Sequence, residues 1–192
     1  MRKVTTENQQ AAADILAAAF ASDPFMLWLS PKPNFLSTLY PLILPALFEK
    51  GVCYMTAEND GVAIWMTPGQ QLKFPRSLST LIRFTRAAGF SALWKLDKLF
   101  FSKGIPTPTE HYYYLFLLGK SPESQRNGVG SELLKHMLER CDEEQVPAFL
   151  ENSNVNNLPF YQKHGFTLLG SKPVVPNGPT LWYMWREPNT LA

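Results

Sequence analysis

The stretch Gln125-Arg126-Asn127-Gly128-Val129-Gly130 is where residue types and spacing in this sequence first suggest chemistry. It lies between an apolar run, 112–118, and a segment with helical periodicity marked by Val129, Leu133, Leu134, Met137, Leu138 and Cys141. Glycines allow positive φ and let a ligand approach the backbone closely. Successive free N–H groups at a helix start form an anion nest, strengthened by the helix dipole. A pyrophosphate is the natural guest. The loop is not a dinucleotide fingerprint, which requires G-x-G-x-x-G, and not a P-loop, because Ser131 follows Gly130 without the lysine. Alone, the loop leaves a second reading open, in which Gly128 and Gly130 only permit close helix–sheet packing.

The flanking elements must hold this loop. Tyr112–Leu118 reads as a central strand covered on both faces. A helix follows from about Gly128 to Gln145, then a second central strand over Pro147–Glu151 and a short helix over Leu158–His164, stopped by Gly165. Phe166–Gly170 and Leu181–Arg186 are final strands joined by a Pro/Gly loop. Upstream, Thr6 and Gln9 have capping-box spacing for a helix from about Glu7 to Ala21, which Ser22-Asp23-Pro24 stops. A second helix between Asn34 and Lys50 is expected to break or kink at Pro41 and Pro45. Val52–Ala57 and Val62–Met66 form a hairpin, and residues 70–108 insert two or three short helices. The expected fold is α/β (α+β), a mixed twisted sheet flanked by helices with a helical insertion, in a single domain spanning 1–192.

The chain has 192 residues, 45% hydrophobic and 18% charged, with a formal net charge of +2. That composition suits a soluble globular protein with a real core, and the charge is too small to argue for nucleic acid as a partner. No secretory leader or apolar membrane span is evident, so a cytoplasmic protein without stable membrane insertion is expected. Cys53 and Cys141 are expected to be reduced buried thiols. His111, His136 and His164 are scattered, with His136 on the exposed side of its helix, and no Cys/His pair has zinc spacing. No metal site and no catalytic triad is expected.

Three ordered segments then carry a resemblance: Gln125–Gly130, Leu150-Glu151-Asn152-Ser153-Asn154, and Asn157-Leu158-Pro159-Phe160-Tyr161 ahead of Gly165-Phe166. Together they resemble the GNAT superfamily of N-acetyltransferases. That family carries Arg/Gln-x-x-Gly-x-Gly/Ala between a central strand and a helix, and Gln125–Gly130 matches it in full. The resemblance is best over 111–186. Ala63–Gly69 and Leu181–Arg186 also resemble a branch containing puromycin acetyltransferase-like enzymes. Two residues depart from the pattern: Lys120 stands where an apolar residue is usual, and Arg126 stands where glycine is frequent.

The resemblance implies direct transfer of an acetyl group from acetyl-CoA to an amine of a small molecule or peptide. It assigns the pyrophosphate to Gln125, Arg126, Asn127, Gly128, Val129 and Gly130, with Ser131 following; the Arg126 side chain, as a departure from the pattern, would add a cation to help the phosphates. The backbone of Leu118, Gly119 and Lys120 would meet the pantetheine amides as a strand-like partner, and the N–H near Leu118 would face the developing oxyanion. Tyr161 would supply the acid for the leaving thiolate, or else pack its ring in the core. Glu151 would act as general base, directly or through water, or else bind a substrate cation or make a structural hydrogen bond. Asn154 is the expected cofactor contact and Asn157 the expected helix cap, although either could reach the pantetheine.

Residues 72–104 hold seven basic side chains, Lys73, Arg76, Arg83, Arg86, Lys95, Lys98 and Lys103, against one acid, Asp97. A lid over the acceptor site, a membrane-facing surface and plain cap helices with a solvated basic face all fit this pattern. A non-catalytic CoA-binding sensor or scaffold is the alternative function. The acceptor's identity and the choice between monomer and homodimer stay open.

Overall fold

The computed structural model describes residues 1–70, 77–101 and 105–190, and the side chains of all of these except 97–101. In chain order, β1 (Arg2–Lys3) leads to α1 (Gln9–Ala19), α2 (Pro24–Leu29) and α3 (Phe35–Lys50), then to the hairpin of β2 (Gly51–Met55) and β3 (Gly61–Met66). The insertion supplies α4 (Leu78–Ala88) and α5 (Phe90–Phe101). β4 (Tyr113–Lys120), α6 (Val129–Glu143), β5 (Ala148–Asn152), a single 3-10 turn at Val155–Asn157, α7 (Leu158–Lys163), β6 (Thr167–Pro173) and β7 (Thr180–Arg186) complete the chain order. The strands form one seven-stranded sheet in the order β1-β2-β3-β4-β5-β7-β6. Among the described strands, only β4 and β5 are parallel neighbours. This is the mixed α/β architecture that the sequence predicts.

The sheet separates two cores. On one face α1, α3, α4 and Ala92 of α5 pack over Met55, Val62, Ile64 and Leu117. On the other, α6 and Tyr161 of α7 pack over Trp65, Leu115, Leu150 and Met184. Cys53 belongs to the first core and Cys141 to the second, so the sheet keeps the two thiols apart. Burial pushes both thiols up to about 12.

The middle of β4 carries a bulge. Ile64 of β3 pairs with Leu117 and Trp65 pairs with Leu115, which leaves Phe116 as an extra residue. An extra residue bends a strand and re-aims its side chains. Tyr113 and Leu115 pack toward α6, as alternation requires, but Leu117 joins Tyr114 and Phe116 on the opposite face.

Several local expectations give way. Asn8 rather than Thr6 occupies the cap of α1, and its Oδ1 accepts from Thr5 N (2.7 Å), so Thr6 and Gln9 form no capping box. Asp23-Pro24 starts a helix instead of only stopping one: Asp23 Oδ1 accepts from Met26 N (2.9 Å), and Pro24 occupies the first turn, where its missing N–H costs nothing. α3 continues through Pro41 and Pro45, because Phe35, Leu39, Tyr40, Ile43, Leu44 and Leu47 are all buried along it. His136 is half-buried and edge-on to Tyr54 at 4.5 Å, not on the exposed side of α6. Lys73, Arg76 and Lys103 lie outside the described residues, as do the side chains of Asp97, Lys98 and Phe100.

Candidate active site

β4 and β5 pair only through Tyr113–Ala148, Tyr114–Phe149 and Leu115–Leu150. Beyond Leu115 the strands diverge: β4 keeps its bonds to β3 as far as Lys120, while Glu151 and Asn152 pair with β7. The opening begins at the Phe116 bulge. It leaves the β5-facing edge of residues 116–120 as a row of backbone groups without a strand partner. An extended chain of amides can dock on such an edge. Gly119 is a glycine because of α1, since a Cβ there would lie 2.9 Å from Ala19 Cβ. Leu118 is half-buried and Lys120 is exposed at the strand end.

The loop from Ser121 is pinned by the β2–β3 turn. Ser121 N donates to Asp60 O (2.8 Å), and Ser124 Oγ donates to Asp60 Oδ2 (2.7 Å). The Asp60 carboxyl is held below its usual range; burial pushes it up, but hydrogen bonds from Thr56 and Ser124 and the Arg126 charge outweigh that. Arg126 is part of this brace. Its guanidinium contacts Glu58, Asp60 and Glu132, and its backbone N–H donates to Ser124 Oγ (3.2 Å). A side chain shared among three carboxylates brings no spare cation to a phosphate, which departs from the role the sequence suggests for it.

Gly128 has φ +82°, a conformation that a Cβ makes costly. It caps α6 without a side chain, and a Cβ built there would find nothing within 4 Å. The first-turn N–H groups of Val129, Gly130 and Ser131 have no intrahelical acceptor, and no side chain caps them. Gly130 has a different reason to be glycine: its Cβ would lie 3.2 Å from the Phe160 ring on α7. Gly130 therefore does permit close packing, but against α7 rather than against the sheet as the sequence reading has it. Gln125 and Asn127 are exposed beside the nest.

Across the opening, Glu151 lines a cavity of about 300 Å³ together with Tyr114, Ser153, Asp23 and Tyr183. Glu151 is exposed, and its carboxylate opens to water through this cavity. Crowding pushes its pKa up to about 7, while a hydrogen bond from the Tyr114 hydroxyl pulls the other way. Tyr161 is buried edge-on to Phe160 and Phe166. Burial, and secondarily the Asp23 charge, raise its phenol well above the usual value, so it is protonated at neutral pH. Asp23 joins the two sides, because its Oδ2 accepts from Ser153 Oγ just beyond β5.

The capping bond falls to Asn154 rather than to Asn157. Asn154 Oδ1 accepts from Asn156 N (3.1 Å) and caps the 3-10 turn. Asn157 makes no capping bond; it is exposed, with Nδ2 3.5 Å from Asn152 Oδ1. A turn between β5 and α7 moves the cap three residues upstream of where a directly starting helix would need it.

The model of the acetyltransferase (GNAT) family matches residues 27–166, well over half of the chain. The chain belongs to the acetyltransferase (GNAT) family. This acetyltransferase is 26% identical over 216 residues to an uncharacterized N-acetyltransferase of Schizosaccharomyces pombe, an alignment covering 98% of this chain and 83% of that protein. Among solved structures it superposes on a Corynebacterium glutamicum protein described as histone acetyltransferase HPA2 and related acetyltransferase, with TM-score 0.72, 24% identity and coverage of 100% and 97% of the two chains. It also superposes on arylalkylamine N-acetyltransferase 2 of Aedes aegypti, with TM-score 0.63, 11% identity and 98% of each chain covered. At those identities the two structures share its fold.

The acetyltransferase's cosubstrate is acetyl-CoA, as for the family. The residues present fit it: an open nest at Gly128–Ser131 with donors to spare, beside an unpaired strand edge at 116–120. Among the described residues no helix is long and apolar enough to cross a membrane, and no cluster of His, Cys, Asp and Glu could hold a metal. Sequence reasoning missed Asp23, Tyr114 and Ser153 in the acetyltransferase's site. Asp-Pro is a helix-start signal that could have found Asp23. Tyr114 and Ser153 carry no local signal.

Proposed function

We propose that this acetyltransferase moves an acetyl group from acetyl-CoA directly to an amine of a small molecule or peptide, with 1–192 acting as one catalytic domain. The observation that carries this reading is Glu151, an exposed carboxylate lining a cavity with Tyr114 and Ser153 beside the β4–β5 opening. A base works best when its pKa lies near the working pH.

Acetyl-CoA, when bound, supplies an activated acyl carbon. The chain's residues do the rest. Val129, Gly130 and Ser131 donate N–H groups to the pyrophosphate, with Gln125 and Asn127 beside them and Gly128 setting the turn. Arg126 holds the loop in shape. Residues Leu118, Gly119 and Lys120 offer their free edge to the pantetheine, and Asn154, just beyond β5, keeps an amide NH2 for it while its Oδ1 caps the 3-10 turn. The backbone N–H near Leu118 stabilises the developing oxyanion. Glu151 accepts the amine proton as nitrogen bonds to the acyl carbon. Tyr161 gives its proton to sulfur as the carbon–sulfur bond breaks, and solvent restores that proton.

The resemblance to puromycin acetyltransferase-like enzymes rests on residues that are mostly buried strand positions. It therefore supports a shared core more than a shared acceptor. Two free buried thiols suit a reducing compartment, and we place the activity in the cytoplasm.

The test is acetyl-CoA stabilisation in a melting experiment, followed by thiol release with an amine panel. Stabilisation with amine-dependent release is expected. Stabilisation without release on any amine favours a CoA sensor or scaffold, and no stabilisation overturns both.

A further inference from the structure

The cavity holding Glu151 adjoins a larger one of about 680 Å³, and Phe25, Met26, Tyr114, Phe116 and Leu117 line both. The larger cavity holds neither Glu151 nor Tyr161, so it is a place for the body of a ligand rather than for chemistry. Its walls include Leu29, Leu39, Ile43, Met66, Leu96 and Leu117. Exposed Gln70 and Glu110 mark its mouth. Among the described residues lining either cavity there is no Lys, Arg or His, whereas Asp23, Glu110 and Glu151 are present. Such walls repel carboxylates and phosphates and reward apolar bulk.

The structure builds this space on purpose in two places. The β4 bulge turns Leu117 into it, away from the face where alternation would put it. The insertion closes another side: Leu96 of α5 lines the cavity, while Lys95 Nζ donates to Trp28 O and lies 5.3 Å from the Trp28 ring centroid, tying α5 to α2. In the wall, the fully buried Tyr40 hydroxyl has no hydrogen-bond partner among the described residues. Tyr114 stands at the junction, lining both cavities beside Glu151.

We propose that the acceptor is a primary amine without an anionic group, carrying a bulky apolar, ring-sized body. Its nitrogen lies at Glu151 and its body passes Tyr114 into the larger cavity. The proposal rests on the amine acetyltransferase reading and narrows it: the wall carboxylates set aside amino acids and dipeptides, and the apolar lining favours a ring-sized body over a polyamine chain.

The experiment is a homologous series, propylamine to hexylamine, then 2-phenylethylamine, with spermidine and a glycyl dipeptide alongside, read as thiol release from acetyl-CoA. Alkylamines have similar basicity, so kcat/KM reports body size. A rise approaching about fourfold per buried methylene is expected, with 2-phenylethylamine at least about tenfold above spermidine and the dipeptide, since a tenfold ratio is only about 1.4 kcal/mol. 2-Phenylethanol, the same body without the nucleophile, is expected to compete with the amine and not with acetyl-CoA. Leu96→Trp fills the larger cavity and is expected to move the optimum to shorter amines, with KM rising more than kcat falls. A flat series, or spermidine or the dipeptide preferred, overturns the proposal and leaves the amine acetyltransferase standing. No release from any amine, with acetyl-CoA still stabilising the fold, overturns both.

Discussion

The proposed donor side and the proposed acceptor side of this molecule are built by opposite means. The donor side is backbone: a strand edge at 116–120 and a helix start at Gly128–Ser131, contiguous but for one braced turn. The acceptor side is side chains, collected from α2, α3, α5, β3, β4, β5 and β7. Backbone recognition needs only a few glycines and one brace. Side-chain recognition leaves the outline of a cavity that any residue at a wall position can redraw. On the proposed reading the donor is common to the family, while the acceptor is set by this chain's own walls.

If that division is right, mutations on the two sides separate kinetically. The largest effect is expected at Tyr161. Tyr161→Phe removes the proton donor to sulfur, and kcat should fall about a hundredfold to ten-thousandfold, while calorimetry finds acetyl-CoA binding unchanged. Loss of binding instead would make Tyr161 a packing residue. On the donor side, Gly128→Val forces a β-branched side chain to φ +82°, a cost of about 1–2 kcal/mol. Acetyl-CoA affinity should fall about tenfold, the equivalent of 1.4 kcal/mol, with kcat at saturation little changed.

On the acceptor side, Tyr114→Phe removes a hydrogen bond that lowers the Glu151 pKa. The acid limb of the kcat profile should therefore move to higher pH, with the KM for acetyl-CoA unchanged. The smallest effect is expected for Asn154→Ala, which loses the cap of the 3-10 turn. It should cost about 1 kcal/mol of stability in a denaturant titration.

The same division explains how much the sequence reveals. The elements from β4 onward follow from periodicity and glycine placement, because α6 buries one clean stripe and Gly128 marks its start. The Phe116 bulge does not follow, since a register shift in one strand depends on its partner and leaves no mark in the apolar run. The role of Arg126 was hidden for a related reason: Glu58 and Asp60, which occupy it, are more than sixty residues away. Asp23 reads locally as a break and becomes a bridge only when β5 brings Ser153 to it. α3 shows burial overriding proline's local preference.

The central claim is that Glu151 takes the amine proton, and the most direct test is kcat against pH for wild type and Glu151→Gln with a saturating amine. kcat reports groups in the bound complex, so it avoids the titration of the free amine. A carboxyl raised to about 7 is protonated below that pH and becomes competent as pH rises through it. The expected result is a wild-type profile that climbs through about pH 7, and a variant about a hundredfold to ten-thousandfold slower with that limb gone. A variant that keeps both the rate and the limb would contradict the account.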